Sequence, residues 1–259
     1  MTLLPPSTPP RDVATALAGP GYAVLDSASL ARAIGVDLAT FAALAPLWDD
    51  LPADAYLRDR GHYRRRRHGC FVVEGADVVA VARRAHWQPI EYNALHGGIE
   101  RWFEPLDEPL VASLAWARLL AWLGAASVPA SPEAERTPKT RWYVEAHQFR
   151  IDTTDGIGRP TPEGAHRDGV DFVALLLVAR EGVKGGETRV FDARGPNGVR
   201  FTMTEPWTLL LLDDARVIHE STPIQPTGDA VGHRDTLVLT FRAGGFQDPV
   251  ATARGHGAT

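Results

Sequence analysis

The sequence has few of the features that staple a chain covalently or hold it in a membrane. Its 259 residues include a single cysteine, Cys70, which excludes a disulfide within the chain. The longest apolar stretch, PLVASLAWARLLAWLG, is interrupted by Ser113 and Arg118 and is short for a membrane span. No apolar segment follows a basic start at the N-terminus, so we expect no signal peptide and a cytoplasmic location without a membrane partner.

An excess of positive charge is also lacking. The chain has 27 Lys and Arg against 32 Asp and Glu, a formal net charge of -5, and this balance does not suit a nucleic-acid binder. Neither an internal repeat nor a low-complexity tract is visible. What is present is a globular composition, 44% hydrophobic and 23% charged, with enough apolar material for a core. The sequence does not indicate an oligomeric state.

The N-terminal part, residues 1–140, has a mainly helical pattern with some strands. DVATALAG indicates a short helix, and SASLARAIG and DLATFAALAPLW indicate two more, with Ser27 and Asp37 as N-caps. We expect a buried helix over residues 109–124 that ends at Gly124, followed by a loop rich in Pro, Ala and Glu that reaches about Thr140. YAVLD and the region 63–82, with its Gly-Ala-Asp turn, are strand-like.

From Arg141 onward, short apolar runs alternate with turn signals such as Asp-Gly and Gly-Gly. Closely spaced short strands predict an antiparallel sandwich or barrel. We therefore expect one domain over residues 1–259, mainly β with flanking helices, in which residues 141–245 form the barrel that carries any site. The predicted strands are RWYVEAHQFRID, DFVALLLVAR, ETRVFDA, VRFTMTE, WTLLLLDD, RVIHEST and TLVLTFRAG.

Two histidines and an aspartate stand beside these strands. In GAHRDGVDFVALLL, His166 and Asp168 are two residues apart, so in an extended segment both side chains point the same way. His219 closes another apolar strand, RVIHEST, and shares a face with Val217 and Ser221. Alone, each feature is also typical of a polar turn or a core histidine. Together, two imidazoles and one carboxylate match the facial triad of non-haem Fe(II) oxygenases.

A further strand begins with an arginine in the segment GHRDTLVLTFR. Arg234, Thr236 and Val238 alternate on one face of this strand. A guanidinium followed by a hydroxyl is suited to clamping a carboxylate, because it offers a bidentate fork and one more donor. The alternative is a surface arginine paired with Asp235.

The ordered set His166-x-Asp168, His219 and Arg234-x-Thr236 resembles the Fe(II)/2-oxoglutarate-dependent dioxygenases. The surrounding sequence is similar to their bacterial branch of free amino acid hydroxylases, of the L-isoleucine 4-hydroxylase type. The resemblance implies a double-stranded β-helix, a cupin-like jelly roll, buttressed by the N-terminal helices. It is carried by PTPEGAHRDGVDFVALLL, GGETRVFD, TLLLLDDARVIHESTPI and GHRDTLVLTF, with GGIERWFEPL and HQFRI upstream. The glycine pair in GGETRVFD permits a tight reversal or a positive φ.

The resemblance implies that His166, Asp168 and His219 bind Fe(II) as the catalytic metal. It further implies that 2-oxoglutarate chelates this metal and that Arg234, helped by Thr236, anchors its far carboxylate. O2 is the co-substrate, succinate and CO2 are products, and ascorbate is the expected reductant in vitro. The presence of Asp168 favours hydroxylation over halogenation. The expected substrate is a free L-amino acid, aliphatic or citrulline- or arginine-like, hydroxylated at an unactivated C–H for specialised metabolism.

Several polar residues have two interpretations. Gln148 and Arg150 share one face of HQFRI, so Gln148 is a candidate for the 2-oxoglutarate C1 carboxylate and Arg150 for a substrate carboxylate, unless both brace the sheet. Arg167 is a candidate substrate contact at the barrel mouth. Glu163 is a candidate cap for the turn before His166.

The run RRRR at residues 64–67 is read either as a solvated edge strand or as an anion-binding entry lined by Arg65 and Arg67. His86 and His96 are interpreted as structural.

Two other functions remain open from the sequence. One is a non-catalytic cupin-like protein that binds a small acid, and the other is a zinc-dependent hydrolase that uses the same two histidines and carboxylate. Hydrolysis gives no reason for Arg234-x-Thr236, and a binding module has no need for Asp168 and His219 together with Arg234.

Overall fold

The computed structural model describes residues 3–93, 95–127 and 141–249, so most of the predicted loop before Thr140 lies outside the described residues. The helices are α1 (Val13–Ala18), α2 (Ser27–Ile34), α3 (Leu38–Leu44), α4 (Glu108–Val111) and α5 (Leu114–Ser127), with short 3-10 turns at Pro10–Asp12 and Ala45–Trp48. The strands are β1 (Tyr22–Leu25), β2 (Arg64–Glu74), β3 (Asp77–Ala80), β4 (Arg141–Asp152), β5 (Phe172–Glu181), β6 (Val183–Gly185), β7 (Thr188–Asp192), β8 (Gly198–Phe201), β9 (Leu209–Asp213), β10 (Val217–Ser221), β11 (Ile224–Pro226) and β12 (His233–Arg242).

The strands form one large antiparallel sheet and two small ones. The main sheet has the order β1-β9-β5-β12-β4-β2-β3, and the smaller sheets are β10-β7-β8 and β11-β6. Each of the seven predicted strands from Arg141 onward is present. The predicted fold class, mainly β with a jelly-roll core and flanking helices, is therefore confirmed.

The main sheet also takes strands from the N-terminal part of the chain. β1 pairs with β9 and aligns Tyr22 with Leu212, while β2 pairs with β4 along its whole length. The sheet is thus not confined to residues 141–245, and β2 and β4 lie side by side. This pairing brings the RRRR run into register with HQFRI.

The reversal between β6 and β7 uses the predicted glycine pair. Gly185 and Gly186 have φ values of 80° and 65°, in the left-handed region that favours glycine. A Cβ on Gly185 would lie 2.3 Å from the carbonyl oxygen of Pro223. The expectation of a positive φ at this turn is confirmed.

Two details of the predicted helices are wrong. The cap of α2 is Asp26, whose carboxylate accepts a hydrogen bond from the Ser29 amide, rather than Ser27. The predicted helix over residues 109–124 is divided into α4 and α5 at Ala112 and Ser113, and α5 continues past Gly124 to Ser127. Glycine is needed there for packing, because a Cβ would lie 3.0 Å from Cδ1 of Trp142. The cap at Asp37 is confirmed, since its side chain accepts from the Thr40 amide.

The two faces of the main sheet bury different cores. The outer face packs against the helices, and Trp142 and Leu239 of the sheet share a cluster with Leu120 of α5. The inner face packs toward the smaller sheets, where Val173 and Leu212 meet Val217. Side chains alternate between these faces along each strand, so the parity of a residue decides whether it faces the helices or the interior.

Among the described residues, no single helix is long and apolar enough to cross a membrane. The segments Ser27–Ile34 and Leu38–Trp48 reach that length and composition only together, across a bend of 104°.

Candidate active site

A large group of polar side chains in the barrel faces one cavity. This cavity lies between the inner face of the main sheet and the smaller strands, and its wall includes His166, Asp168, His219, Arg234 and Thr236. The five residues come from three separate stretches of sequence. The fold therefore gathers the predicted metal ligands and the predicted carboxylate anchor into the same space.

His166 and His219 are held together by their backbones. The amide of His166 donates to the carbonyl of His219 across 3.0 Å, and the amide of His219 donates back across 2.9 Å. Nε2 of His166 lies 3.7 Å from Oδ1 of Asp168, and Nε2 of His219 lies 3.7 Å from Oδ2 of the same carboxylate. Two imidazole nitrogens and one carboxylate thus converge on a common point, as a metal site requires.

The segment that carries Asp168 is fixed by a second aspartate. The buried carboxylate of Asp214 accepts hydrogen bonds from the backbone amides of Asp168, Gly169 and Val170, at 3.0, 2.8 and 3.1 Å. Asp214 ends the apolar run of β9 as the second residue of an Asp-Asp pair. It orients a ligand without contacting the metal position, and sequence reasoning did not identify it. Partners of this kind tune a metal site from outside its ligand shell.

Hydrogen bonding prepares His166 as a ligand, whereas Nδ1 of His219 is buried without a partner among the described residues. Nδ1 of His166 lies 2.9 Å from the carbonyl oxygen of Gly164 and donates to it, which leaves the lone pair on Nε2. Burial and repulsion from His166 lower the pKa of His219 to about 3, so this ring is neutral at physiological pH. Burial opposes protonation of His166, but Asp168 and Glu163 outweigh it and raise its pKa.

The donor set fits Fe(II). It contains imidazole nitrogen and carboxylate oxygen donors on one side, and a carboxylate oxygen of Glu163 lies 3.5 Å from Nε2 of His166. A cluster that contains carboxylates favours a divalent cation, and a mixed set of nitrogen and oxygen donors is typical of non-haem iron. Glu163 therefore lies at the site as an acidic neighbour of His166.

Arg234 is buried at the start of β12 with an unsatisfied guanidinium. Its relative exposure is 2%, and among the described residues no hydrogen-bond partner reaches Nη2. Burial and repulsion from Arg180 lower its pKa to about 10, so the group stays charged at neutral pH. Asp235 does not neutralise it, because that carboxylate lies on the other face and pairs with Arg150 at 2.7 Å. Arg234 is thus a buried cation suited to an anionic ligand.

Thr236 follows Arg234 on the same face and is also buried. Both therefore line the cavity as the alternation of the strand predicts.

Gln148 and Arg150 lie outside the cavity, on the helix-facing side of β4. Gln148 accepts from the Asp107 amide and donates to the Leu47 carbonyl, both at 3.3 Å. Arg150 binds Asp235 with two hydrogen bonds, at 2.8 and 2.7 Å. Both side chains share a face with the apolar Trp142, so they brace the sheet, and the structure does not place either beside the metal position.

Arg167 likewise points away from the cavity. Its Nε donates to the backbone carbonyl of Asp214 across 2.6 Å, which ties the metal-ligand segment to the end of β9.

In the RRRR run the inward-facing pair is Arg64 and Arg66, which line the cavity. Arg65 and Arg67 face outward and pair with Asp152 and Asp107. The interpretation of an anion-binding entry lined by Arg65 and Arg67 is therefore wrong, because these two side chains face outward. The interpretation of a solvated edge strand is wrong for Arg64 and Arg66, which are buried.

The cavity has a charged wall that the sequence interpretation missed. Arg101, Gln88 and Glu145 line it, together with His86, for which the sequence predicts a structural role. Gln88 donates to Oδ1 of Asp168 across 3.2 Å and accepts from Arg101 across 3.0 Å. Gln88 thus connects this wall to the carboxylate of the predicted metal ligand Asp168.

A second group of metal-ligand types, His68, His86, Glu145 and His147, lies in this wall. Two imidazoles donate to one oxygen of Glu145, from Nδ1 of His86 at 2.6 Å and from Nε2 of His68 at 3.0 Å. Nδ1 of His147 lies 2.7 Å from Nη2 of Arg66 and accepts from it. A guanidinium at that distance repels a metal cation. The group is therefore a hydrogen-bonded network.

An antiparallel jelly roll that carries an open His/Asp/His triad is typical of mononuclear non-haem iron oxygenases. The 2OG-Fe dioxygenase family model matches residues 45–240 of the sequence. The chain belongs to this family.

Solved structures have a similar fold. A bsmA homolog (Mpe_A2762) from Methylobium petroleophilum PM1 is 52% identical, with a TM-score of 0.87 over 95% of this chain and 98% of that one. IDO from Bacillus thuringiensis is 15% identical, with a TM-score of 0.71 over 94% and 99% of the two chains. The Fe(II)/(alpha)ketoglutarate-dependent dioxygenase TqaL is 19% identical, with a TM-score of 0.67 over 90% and 86%. The last two likenesses show the fold alone. No curated protein matches the sequence.

Proposed function

We propose that this protein is an Fe(II)- and 2-oxoglutarate-dependent hydroxylase that acts on an unactivated C–H bond of a free L-amino acid. In the balanced reaction, one O2 is consumed: one oxygen atom enters the substrate C–H bond as a hydroxyl, and the other enters succinate as 2-oxoglutarate loses CO2. Iron bound by the triad supplies the oxidising chemistry with its co-substrates, and the protein supplies positions and charges.

One observation carries the proposal: the metal triad and the unsatisfied guanidinium of Arg234 face the same cavity. Three ligands on one side leave the opposite side of a metal open to small molecules. Arg234 supports the far carboxylate of 2-oxoglutarate, with Thr236 beside it on the same face. A hydrolytic metal site would give this buried arginine no anion to bind.

The choice of hydroxylation rests on Asp168. A carboxylate at this position is a third protein ligand and occupies the place that a halogenating site leaves for chloride. Its orientation is fixed by Gln88 and by the bonds from its own backbone to Asp214. The site therefore supports transfer of oxygen to the substrate.

The choice of a free amino acid is supported by the charged wall. Arg101 and Glu145 line the same cavity as the triad, so a small substrate with ionised groups finds partners there. Apolar residues such as Val170 line it as well and suit an aliphatic side chain. A citrulline- or arginine-like side chain is the second form of substrate that we propose.

The test is a panel of the common L-amino acids with citrulline and ornithine. Each is incubated with the enzyme, Fe(II), ascorbate, 2-oxoglutarate and O2, and products are examined by mass spectrometry. We expect at least one amino acid to gain one oxygen atom, in a one-to-one ratio to succinate. Reactions without O2, and with Zn(II) in place of Fe(II), are the controls and give no product.

Three results would count against the proposal. Product formation with Zn(II) and no O2 would indicate a hydrolase. Binding of small acids without any succinate would indicate a non-catalytic binding protein. Succinate formation with no amino acid oxidised would leave the family chemistry in place and exclude free amino acids as substrates.

A further inference from the structure

Arg101 is a buried cation in the wall of the cavity. Its relative exposure is 2%, and its guanidinium bonds Gln88 through Nη2. Within the described residues no carboxylate comes within ion-pairing distance, and Nε, also buried, has no partner. Burial and repulsion from Arg64 lower its pKa to about 10, which still leaves it charged at neutral pH. A buried charge without a counterion is costly, so an anionic ligand is the partner that this site lacks.

The neighbouring arginines share one carboxylate counterion. Arg64 and Arg66 share the carboxylate of Asp54, at 2.7 and 3.8 Å. The guanidinium of Arg66 also lies over the rings of Phe103 and Phe149, at 3.8 and 4.5 Å. These two arginines therefore have a carboxylate within ion-pairing distance, although Nη2 of Arg64 and Nε of Arg66 lack hydrogen-bond partners in the described chain. Arg101 has no ion pair among the described residues, and Asp54, Glu163 and Glu145 attract it only from further away.

Glu145 is the corresponding buried anion. Its relative exposure is 7%, and Oε2 accepts hydrogen bonds from His86 and His68. In the described chain, no donor bonds Oε1. Burial opposes its ionisation, but attraction from His86 and the hydrogen bonds of His68 and His86 outweigh burial, so the pKa of the carboxyl lies below its usual range.

The imidazoles beside Glu145 do not cancel its charge. Burial lowers the pKa of His86 to about 3 and also lowers that of His68, despite the nearby carboxylate. At neutral pH both rings are uncharged donors. Glu145 thus keeps a net negative charge in the cavity wall.

The two opposite charges lie in one wall but do not pair with each other. The backbones of His86 and Arg101 form an antiparallel bridge, with hydrogen bonds of 2.8 and 3.0 Å, and the ring of His86 contacts Glu145. If these charges served only the fold, direct pairing would stabilise both. Instead, a neutral amide holds the cation and neutral imidazoles hold the anion, so both remain available to a ligand in the cavity.

We infer that this wall recognises a zwitterion: Arg101 binds the substrate carboxylate and Glu145 binds its ammonium group. The inference deepens the proposed function and rests on it, because it assigns the amino acid substrate to particular side chains. Gln88 links Arg101 to Asp168, so the carboxylate subsite is fixed relative to the metal ligands.

The test measures binding without turnover. The enzyme is loaded with Mn(II) and 2-oxoglutarate, and the common L-amino acids with citrulline and ornithine are screened by thermal shift. The amino acid that stabilises most is then titrated calorimetrically in three forms: unmodified, as its carboxamide and as its N-acetyl derivative. We expect wild-type enzyme to bind the unmodified form roughly 10- to 100-fold more tightly than either derivative.

Two variants separate the two contacts. Arg101→Gln should bind the amino acid and its carboxamide equally, while it still rejects the N-acetyl form. Glu145→Gln should bind the amino acid and its N-acetyl form equally, while it still rejects the carboxamide. Arg101→Lys keeps the charge but loses the planar fork, so its discrimination against the carboxamide should be intermediate. This variant keeps the test valid if Arg101→Gln fails to fold.

Matched control variants remove one positive and one negative side chain outside the cavity. Arg65 pairs with Asp152 and Glu74 pairs with Arg141, both on exposed parts of the sheet. Arg65→Gln and Glu74→Gln should keep the wild-type discrimination. Metal analysis of Glu145→Gln should give the same one Mn(II) per chain as wild type. A second bound metal that this variant loses would overturn the assignment of Glu145 to an ammonium group.

The remaining outcomes distinguish failure of the zwitterion inference from failure of the proposed function. If amino acids are hydroxylated but both variants keep the wild-type discrimination, or lose affinity for all three forms equally, the zwitterion inference is wrong and the proposed function stands. If no amino acid binds or is hydroxylated while 2-oxoglutarate is still converted to succinate, the proposed substrate class is wrong as well.

Discussion

The side-chain amide of Gln88 donates a hydrogen bond across 3.2 Å to Oδ1 of Asp168. The side-chain amide cannot rotate freely, because its oxygen accepts hydrogen bonds from both Arg101 and Asn93 at 3.0 Å. Gln88 therefore holds one oxygen of the metal-ligand carboxylate in a fixed direction. Through the same amide, the substrate side of the cavity is joined to the metal side.

We expect Gln88→Leu to weaken metal binding roughly 10- to 100-fold, because partners that orient a ligand contribute about that much to affinity. The measurement is a titration of metal-free protein with Mn(II), followed by electron paramagnetic resonance. Gln225→Leu is the control, since Gln225 is exposed on β11. An unchanged Mn(II) affinity in Gln88→Leu would show that Asp168 is oriented without this bond.

Asp168→Ala should abolish succinate formation and leave the fold intact. The side chain of Asp168 accepts a hydrogen bond from Gln88, while its backbone stays anchored to Asp214. Removing the carboxylate therefore takes a ligand from the metal and little from the packing. Succinate is measured with saturating Fe(II), and circular dichroism reports the fold. Measurable turnover in a folded variant would show that the carboxylate is not an essential ligand.

His219 and Arg234 could be predicted because each stands in a strand with clear alternation, and His166 and Asp168 because their two-residue spacing directly precedes the apolar strand β5. Polar residues that interrupt an apolar strand on one face identify the side that meets the interior, and in β12 Arg234 and Thr236 stand opposite Leu237, Leu239 and Phe241.

β4 is harder to interpret, because several polar residues occur on each of its faces. The sequence makes Gln148 and Arg150 site candidates, but the same face carries Trp142 and Val144, which pack against the helices. The opposite face carries Glu145 and lines the cavity. The apolar companions of Gln148 were the signal that this face meets the helices.

Arg101 and Gln88 could not be found from a periodic pattern. Both lie in irregular chain between β3 and α4, where no alternation assigns a side chain to the interior. Their positions depend on the bridge between His86 and Arg101, a pairing that spans 15 residues and has no local sequence signal. Only tertiary structure brings them beside Asp168.

Arg234→Ala should raise the KM for 2-oxoglutarate much more than the KM for the amino acid. The guanidinium is buried with an unsatisfied nitrogen, so its loss removes the counterion of a carboxylate in a site poor in water. We expect an increase on the order of 100-fold for 2-oxoglutarate. Steady-state kinetics with each substrate varied in turn provide the measurement.

Arg234→Lys is the informative companion variant, because it keeps the charge and loses the fork, and a smaller increase is expected. Arg65→Ala, on the outer face of β2, should leave both KM values unchanged. Equal increases for the two substrates in Arg234→Ala would contradict the assigned role of this residue.

The ion pair between Asp54 and Arg64 predicts a dependence of stability on pH. The carboxylate is buried, 2.7 Å from Nε of Arg64, and also attracts Arg66. Burial alone would raise the pKa of Asp54, but the two arginines outweigh it and hold the pKa below the ordinary value of 3.8. A group with a depressed pKa in the folded state stabilises that state above its unfolded pKa, and this contribution is lost as the pH falls through the folded pKa.

Asp54→Asn should therefore lower the free energy of unfolding at neutral pH by about 3–5 kcal/mol, because it leaves two buried guanidinium groups without a counterion. The difference in the free energy of unfolding between the variant and wild type should shrink as the pH falls below 3.8, because the stabilisation by ionised Asp54 in wild type is then lost. Urea unfolding at a series of pH values measures both curves, with Asp229→Asn at an exposed position as the control. Curves for Asp54→Asn and wild type that stay parallel into the acid range would mean that Asp54 titrates alike in the folded and unfolded chains.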